Sequence, residues 1–153
     1  MAKKRSAARK QGRVPPPTCK AILLCRLAIL EQGTGNPSLI GIFDRIILDG
    51  LPGMVGECTI FLQLVNGIGC YDFVVEVHDL EEDKVLGRAR LPSIDFPDRS
   101  ARANVVIALP GIPISHPGAY EFVVLANDQE IDRQQFIAAL REEISDGPDE
   151  EDA

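Results

Sequence analysis

A chain of 153 residues holds enough material for one domain, and 45% hydrophobic residues with few aromatics and no tryptophan describe an aliphatic core, which excludes a disordered chain. The formal net charge of −7 is unevenly spread: residues 1–13 carry six bases and no acid, residues 141–153 carry seven acids and one base, and of 16 bases and 23 acids in all the body between keeps 9 and 16. An acidic body excludes a nucleic-acid surface on the fold itself and leaves only residues 3–13 as a weak, charge-based anchor.

That basic segment has no aromatic residue for base stacking and no apolar face for membrane insertion, so residues 1–17 read as a disordered basic tail. The apolar run at 21–30 follows Pro15, Pro16, Pro17 and Lys20 and contains Arg26. It is far shorter than the roughly 20 residues a membrane span needs. Leu24 is too bulky to precede a lipoprotein cleavage site at Cys25. These features predict a cytoplasmic protein with no membrane partner. Ala21, Leu23, Cys25, Leu27 and Ile29 form one unbroken apolar set with Arg26 facing the other way, which favours a strand over a helix.

Residues 37–48 read Pro-Ser-Leu-Ile-Gly-Ile-Phe-Asp-Arg-Ile-Ile-Leu, an apolar strand interrupted by Asp44 and Arg45. Neighbours in a strand point to opposite faces. One of the two charges is therefore expected to be exposed and the other paired, fixing the strand's register. The alternative is a recognition patch that includes Asp44, Arg45 and, on the neighbouring strand, Arg26.

Period-two alternation then recurs down the chain. It predicts inner sets Ile60, Leu62 and Leu64; Tyr71, Phe73, Val75 and Val77; Ala103, Val105, Ile107 and Leu109; and Tyr120, Phe122, Val124 and Ala126. Turn signals separate these runs at Asn66-Gly67, Glu81 to Lys84, Pro97-Asp98, Pro110-Gly111, Pro117-Gly118 and Asn127-Asp128. The proline-rich segment 110–118 cannot lie within a central strand and reads as a sheet-to-sheet crossing. Phe136, Leu140 and Ile144 recur at helical spacing, so a strand running into a short helix is expected there. The whole predicts an all-β, antiparallel, immunoglobulin-like sandwich of about 7–8 strands over residues 18–140, with a possible short C-terminal helix. Residues 141–153 form an acidic tail, partly helical and then disordered.

The motifs that carry chemistry are mostly missing. Gly-x-Ser-x-Gly, His-Glu-x-x-His and a phosphate loop do not occur, and Gly33-Thr34-Gly35 and Gly67-Ile68-Gly69 read as hairpin turns. Cys19, Cys25, Cys58 and Cys70 contain no Cys-x-x-Cys pair and read as free thiols. No catalytic residue, metal or cofactor is assigned. His78 beside Asp79, with Glu81, Glu82 and Asp83, is the one cluster of titratable groups, and it reads first as a solvated acidic turn. Its functional alternative is hydrolase-like or calcium-dependent activity, since hard cations take oxygen ligands. His116 reads as a loop residue, and Tyr120 after Gly118-Ala119 matches the tyrosine found at sandwich corners.

The segments Ala21-Ile22-Leu23-Leu24-Cys25-Arg26, Ser38-Leu39-Ile40-Gly41-Ile42-Phe43-Asp44 and Gly118-Ala119-Tyr120-Glu121-Phe122 together resemble a family of small uncharacterised bacterial proteins, a domain of unknown function. Their pattern is Leu-Cys-Asp, then Ser-Leu-Ile-Gly-Ile-Phe-Asp, then Gly-x-Tyr-x-Phe, and Arg26 stands where the family has Asp. The resemblance implies a bacterial β-sandwich and no particular chemistry. The expected function is a non-catalytic protein-binding or adaptor module with an unidentified protein partner. Pairing of two copies through an edge strand is a further expectation.

Overall fold

The computed structural model describes residues 14–56, 58–109 and 111–141, so the basic segment 1–13 and the acidic segment 142–153 lie outside the described residues. The strands, in chain order, are β1 (Thr18–Leu30), β2 (Pro37–Phe43), β3 (Arg45–Leu48), β4 (Gly53–Val55), β5 (Cys58–Val65), β6 (Gly69–Tyr71), β7 (Phe73–Asp79), β8 (Lys84–Arg90), β9 (Ile94–Phe96), β10 (Arg102–Leu109), β11 (Ile112–Ile114), β12 (Gly118–Ala126) and β13 (Gln129–Leu140). They form a β-sandwich. One sheet runs β10-β5-β1-β2 and the other β3-β13-β12-β7-β8, with β11-β4 and β6-β9 as short ribbons.

The two main sheets hold nine strands where alternation shows seven or eight. The difference arises where the chain leaves one sheet for the other. β2 ends at Phe43, Asp44 breaks the extended run, and β3 starts at Arg45 in the opposite sheet, alongside β13. This β3–β13 pair is parallel, and the other strand pairs are antiparallel.

Alternation identifies the core because an antiparallel sheet in a sandwich presents one face to its partner. Ile60, Leu62 and Leu64 from β5 meet Tyr71, Phe73, Val75 and Val77 from β6 and β7, and Tyr120, Phe122, Val124 and Ala126 from β12, in one buried cluster. Ala103, Val105, Ile107 and Leu109 of β10 pack against it from the rim. Phe122 and Tyr120 both stack on Phe136.

β1 is phased the other way from the set picked out by sequence. Ile22 and Leu24 enter the core, whereas Leu23, Leu27 and Ile29 are exposed. The register of β1 against β5 shifts between Cys19 and Ala21, which turns the following residues over. A strand apolar on both faces offers hydrophobicity no means of choosing between them.

The expectation for Asp44 and Arg45 also changes. Both are exposed, and neither makes an ion pair among the described residues. What Asp44 contributes is its backbone: its carbonyl oxygen accepts from the Ile137 N–H at 3.0 Å at the point where the chain changes sheets. Phe136 to Leu140 is strand, despite its helical spacing, because pairing with both β12 and β3 outweighs local propensity. The expected short helix would fall mainly on residues beyond 141, outside those described. No helix of the described residues is long and apolar enough to cross a membrane.

Candidate functional site

The titratable cluster forms at one end of the five-stranded sheet, and its histidine is not the one beside Asp79 in sequence. Successive side chains of β7 point to opposite faces. Asp79 therefore turns inward and is buried, while His78 turns to the outer face, where its Nε2 meets Glu76 Oε1 at 2.9 Å. Glu76 also accepts from Arg88 Nε at 2.8 Å, forming an ion-paired surface on β7 and β8. His78 thus takes no part in the acidic loop.

His116 takes that place, carried there by the connection between β11 and β12. Its Nε2 lies 2.6 Å from Asp79 Oδ2 and 3.9 Å from Glu82 Oε2. Its Nδ1 lies 2.9 Å from both the Pro117 carbonyl oxygen and Glu81 Oε2. The ring stacks on Tyr120, whose hydroxyl donates to the His116 carbonyl oxygen at 2.7 Å. Asp79 Oδ1 accepts from the backbone N–H groups of Glu81 and Glu82 at 3.0 and 3.1 Å. Gly118 leaves the room for this approach: with φ at +135°, a Cβ built there would lie 2.8 Å from Glu81 Oε1.

With an acceptor at each ring nitrogen, the geometry favours the imidazolium. The Pro117 carbonyl and the Asp79 carboxylate hold the His116 pKa above its ordinary value, against the opposing effect of desolvation. Burial pushes Asp79 up, but the Glu82 amide, His116 and the Glu81 amide outweigh it and hold the carboxyl below its ordinary range. Asp83 takes a left-handed turn conformation, with φ at 51°, within the loop. The structure therefore joins Asp79, Glu81, Glu82 and His116. Sequence reading could have reached His116 through Tyr120, because a corner tyrosine bonds the backbone a few residues upstream.

Thiol chemistry has little support. All four cysteines are free, and burial is the main effect pushing Cys19 up to about 12 and Cys58 up to about 11, far from thiolate formation at neutral pH. Among the described residues no hydroxyl or thiol hydrogen-bonds the His116 imidazole.

A second surface lies on the other sheet. β2 and the end of β1 form a hairpin arm, and the ladder between them skips the opposed residues Arg26 and Gly41. Gly41 has φ at 69°, and a Cβ there would lie 2.9 Å from Arg26 Cδ, so the arginine's aliphatic stem crosses the glycine. The arm's tip returns to the far side of its own sheet: Asn104 Nδ2 on β10 donates to the Gly35 carbonyl oxygen at 3.2 Å, and Gln63 Nε2 donates to Asn104 Oδ1 at 2.9 Å. Two strands separate β2 from β10, so the arm must cross the outer face to make that contact. Phe61 and Cys25 are buried although they lie outside the core cluster shared by the two sheets. Along the arm and its base Leu27, Ile29, Ile40 and Ile42 are 49%, 48%, 51% and 57% exposed.

A family model described as "Family of unknown function (DUF6941)" matches residues 20–139. Comparison with curated proteins finds no match. Among solved structures, similarity extends to the alkylpurine DNA glycosylase AlkC of Pseudomonas fluorescens at 12% identity and a TM-score of 0.43, over 62% of this chain and 27% of that one. A β-glucosidase from Listeria innocua matches at 9% identity and a TM-score of 0.38, over 63% of this chain and 15% of that one. The CARDB domain of a Pyrococcus furiosus protein matches at 10% identity and a TM-score of 0.38, over 83% of this chain and 90% of that domain.

Proposed function

The chain belongs to the DUF6941 family of unknown function, and from that premise we propose that it is a non-catalytic protein-binding module, a bacterial, cytoplasmic adaptor of immunoglobulin-like build. The observation that carries this reading is the hairpin arm, which bears four large aliphatic side chains about half exposed, Leu27, Ile29, Ile40 and Ile42. A clustered apolar surface of this kind supports contact with another protein. The outer face of the opposite sheet offers a contrast, covered by the ion pairs of Glu76 with Arg88 and of Glu121 with Arg133. Photo-crosslinking from position 42 in native extract tests the reading. A discrete crosslinked species is expected, and it should vanish in an Ile40→Glu background. Absence of any such species, or its persistence in Ile40→Glu, overturns the proposal.

For pairing of two copies through an edge strand, the edge that suits it best is β2. Among the free edges of the main sheets β3 carries Arg45, β8 carries Lys84, Arg88 and Arg90, and β10 carries Arg102, whereas β2 has no charged residue. Edge charges discourage strand addition. Light scattering across a concentration series decides whether the mass doubles.

Of the alternative reading, hydrolase-like or calcium-dependent activity at the 79–83 loop, the hydrolase-like form draws support from the convergence of Asp79 and Glu82 on a histidine. That histidine is His116, with His78 turned to the other face. Hydrolysis of ester or phosphoester probes that is lost in His116→Asn but retained in His78→Asn would favour it.

A further inference from the structure

We propose that His116, Asp79 and Glu82 form a binding site for a divalent first-row transition cation such as Zn²⁺. The inference is independent of the arm and of the binding-module reading. Three donor atoms, one from each residue, lie within 4.8 Å of one another. The donors are His116 Nε2, Asp79 Oδ2 and Glu82 Oε2, and in each residue the other polar atom of the group is held by something else. His116 Nδ1 is 2.9 Å from the Pro117 carbonyl oxygen and from Glu81 Oε2. Asp79 Oδ1 is fixed by two backbone N–H groups, and Glu82 Oε1 is 2.9 Å from Lys84 Nζ. Outer-shell partners of this type set the tautomer and direction of metal ligands, leaving the inner atoms to converge.

Charge points the same way. The Asp79 side chain has 0% exposure, and its Oδ2 faces the ring nitrogen, so a full negative charge is buried against one imidazole. Glu81 and Glu82 add two more carboxylates, and Lys84 is the permanently charged base paired within the group. Such a site calls for a cation. In the structure the acceptors at both ring nitrogens let a proton serve. On metal uptake the Nε2 proton leaves to solvent and the Nε2 lone pair goes to the cation, while Nδ1 keeps its proton and donates it in a hydrogen bond to the Pro117 carbonyl oxygen.

The donor set selects the class of ion. One imidazole and two carboxylates suit zinc and its neighbours, whereas calcium requires six to eight oxygens, more than this loop brings together. Three protein ligands leave a fourth position to solvent, and the His116 ring is 20% exposed, so an entry path exists. Tetrahedral coordination at ordinary zinc distances needs ligand separations of about 3.3 Å. The observed 2.6 Å between Nε2 and Oδ2 and 3.9 Å between Nε2 and Glu82 Oε2 bracket that value.

The test is calorimetric titration of the full chain with ZnCl₂, and separately with CaCl₂. One saturable zinc site is expected, with no matching calcium site. Glu82→Gln is expected to weaken zinc at least about tenfold. Glu82 is about half exposed, so this change leaves the fold intact, which a thermal melt verifies. His116→Asn should abolish the site, and because that change also touches the packing on Tyr120, the Glu82 variant is the deciding one. Visible absorption of bound Co²⁺ gives a second readout and should fall in parallel. Absence of saturable zinc binding, or zinc affinity unchanged in Glu82→Gln, overturns the proposal.

Discussion

Tyr120 holds His116 twice: its hydroxyl donates to the His116 carbonyl oxygen at 2.7 Å, and its ring stacks on the imidazole with centroids 5.3 Å apart. Removing the hydroxyl as Tyr120→Phe leaves a carbonyl oxygen without its donor in a part-buried position. A loss of about 1–2 kcal/mol is expected, read as a lower urea midpoint with an unchanged slope.

Glu76 sets an acid limit on stability. Its hydrogen bond with His78 is the main effect holding its pKa below the ordinary 4.5; burial opposes this, and Arg88 adds to it. A depressed carboxyl contributes stability above its unfolded pKa and loses it as pH falls through the lower folded value. The groups facing it are His78 on its own strand and Arg88 on β8, with Glu121 of β12 beside His78 in register. Glu76→Gln should therefore cost about 1–3 kcal/mol at pH 7. The gap between variant and wild type should close below pH 4.5, followed by thermal melts across pH.

Gly41 tests the base of the arm. Gly41→Ala adds a Cβ to a residue with φ at 69° and drives it against the Arg26 stem, so a loss of about 1–2 kcal/mol is expected. Arg26→Ala in the same chain removes the approaches to Cδ and Cγ and leaves the backbone cost and the 3.3 Å approach to Cβ. The double variant should recover part of the loss and no more, as a double-mutant cycle in urea will measure.

Asn104 latches the arm's tip through one hydrogen bond to Gly35. Asn104→Ala should raise amide hydrogen exchange in residues 31–36 while shifting the global unfolding midpoint little.

Asp44 offers a counter-test. Its structural contribution runs through the main chain, so Asp44→Asn should change stability by no more than about 0.5 kcal/mol. A larger loss in a denaturant melt would restore the register-fixing role that sequence suggests.

The core was legible because one face of each of β5, β7, β10 and β12 lies in or against the shared cluster, and period two reports that face directly. The burial of Cys25 and Phe61 was not, since both lie outside the core cluster and alternation reports only the face that meets the other sheet. The acidic half of the site could be read from the adjacency of Asp79, Glu81 and Glu82. His116 lies 37 positions from Asp79 and meets it through the pairing of β7 with β12, so the one sequence signal for it was indirect, the corner tyrosine Tyr120 four residues on. Proximity in sequence placed His78 there instead, and strand geometry turns neighbouring side chains apart.

Arg45 pairs with Ile137, and nearby Arg141 bonds Asp49 across a separation of 92 positions. Emerging from a ribosome, β3 therefore has no sheet to join until β13 has been synthesised. Closing so distant a contact last makes folding slow. Until then β3 offers bare backbone from the apolar run Ile46-Ile47-Leu48, a template for intermolecular pairing. The sheet change at Asp44 thus makes the nascent chain most exposed to aggregation during the interval between synthesis of β3 and of β13.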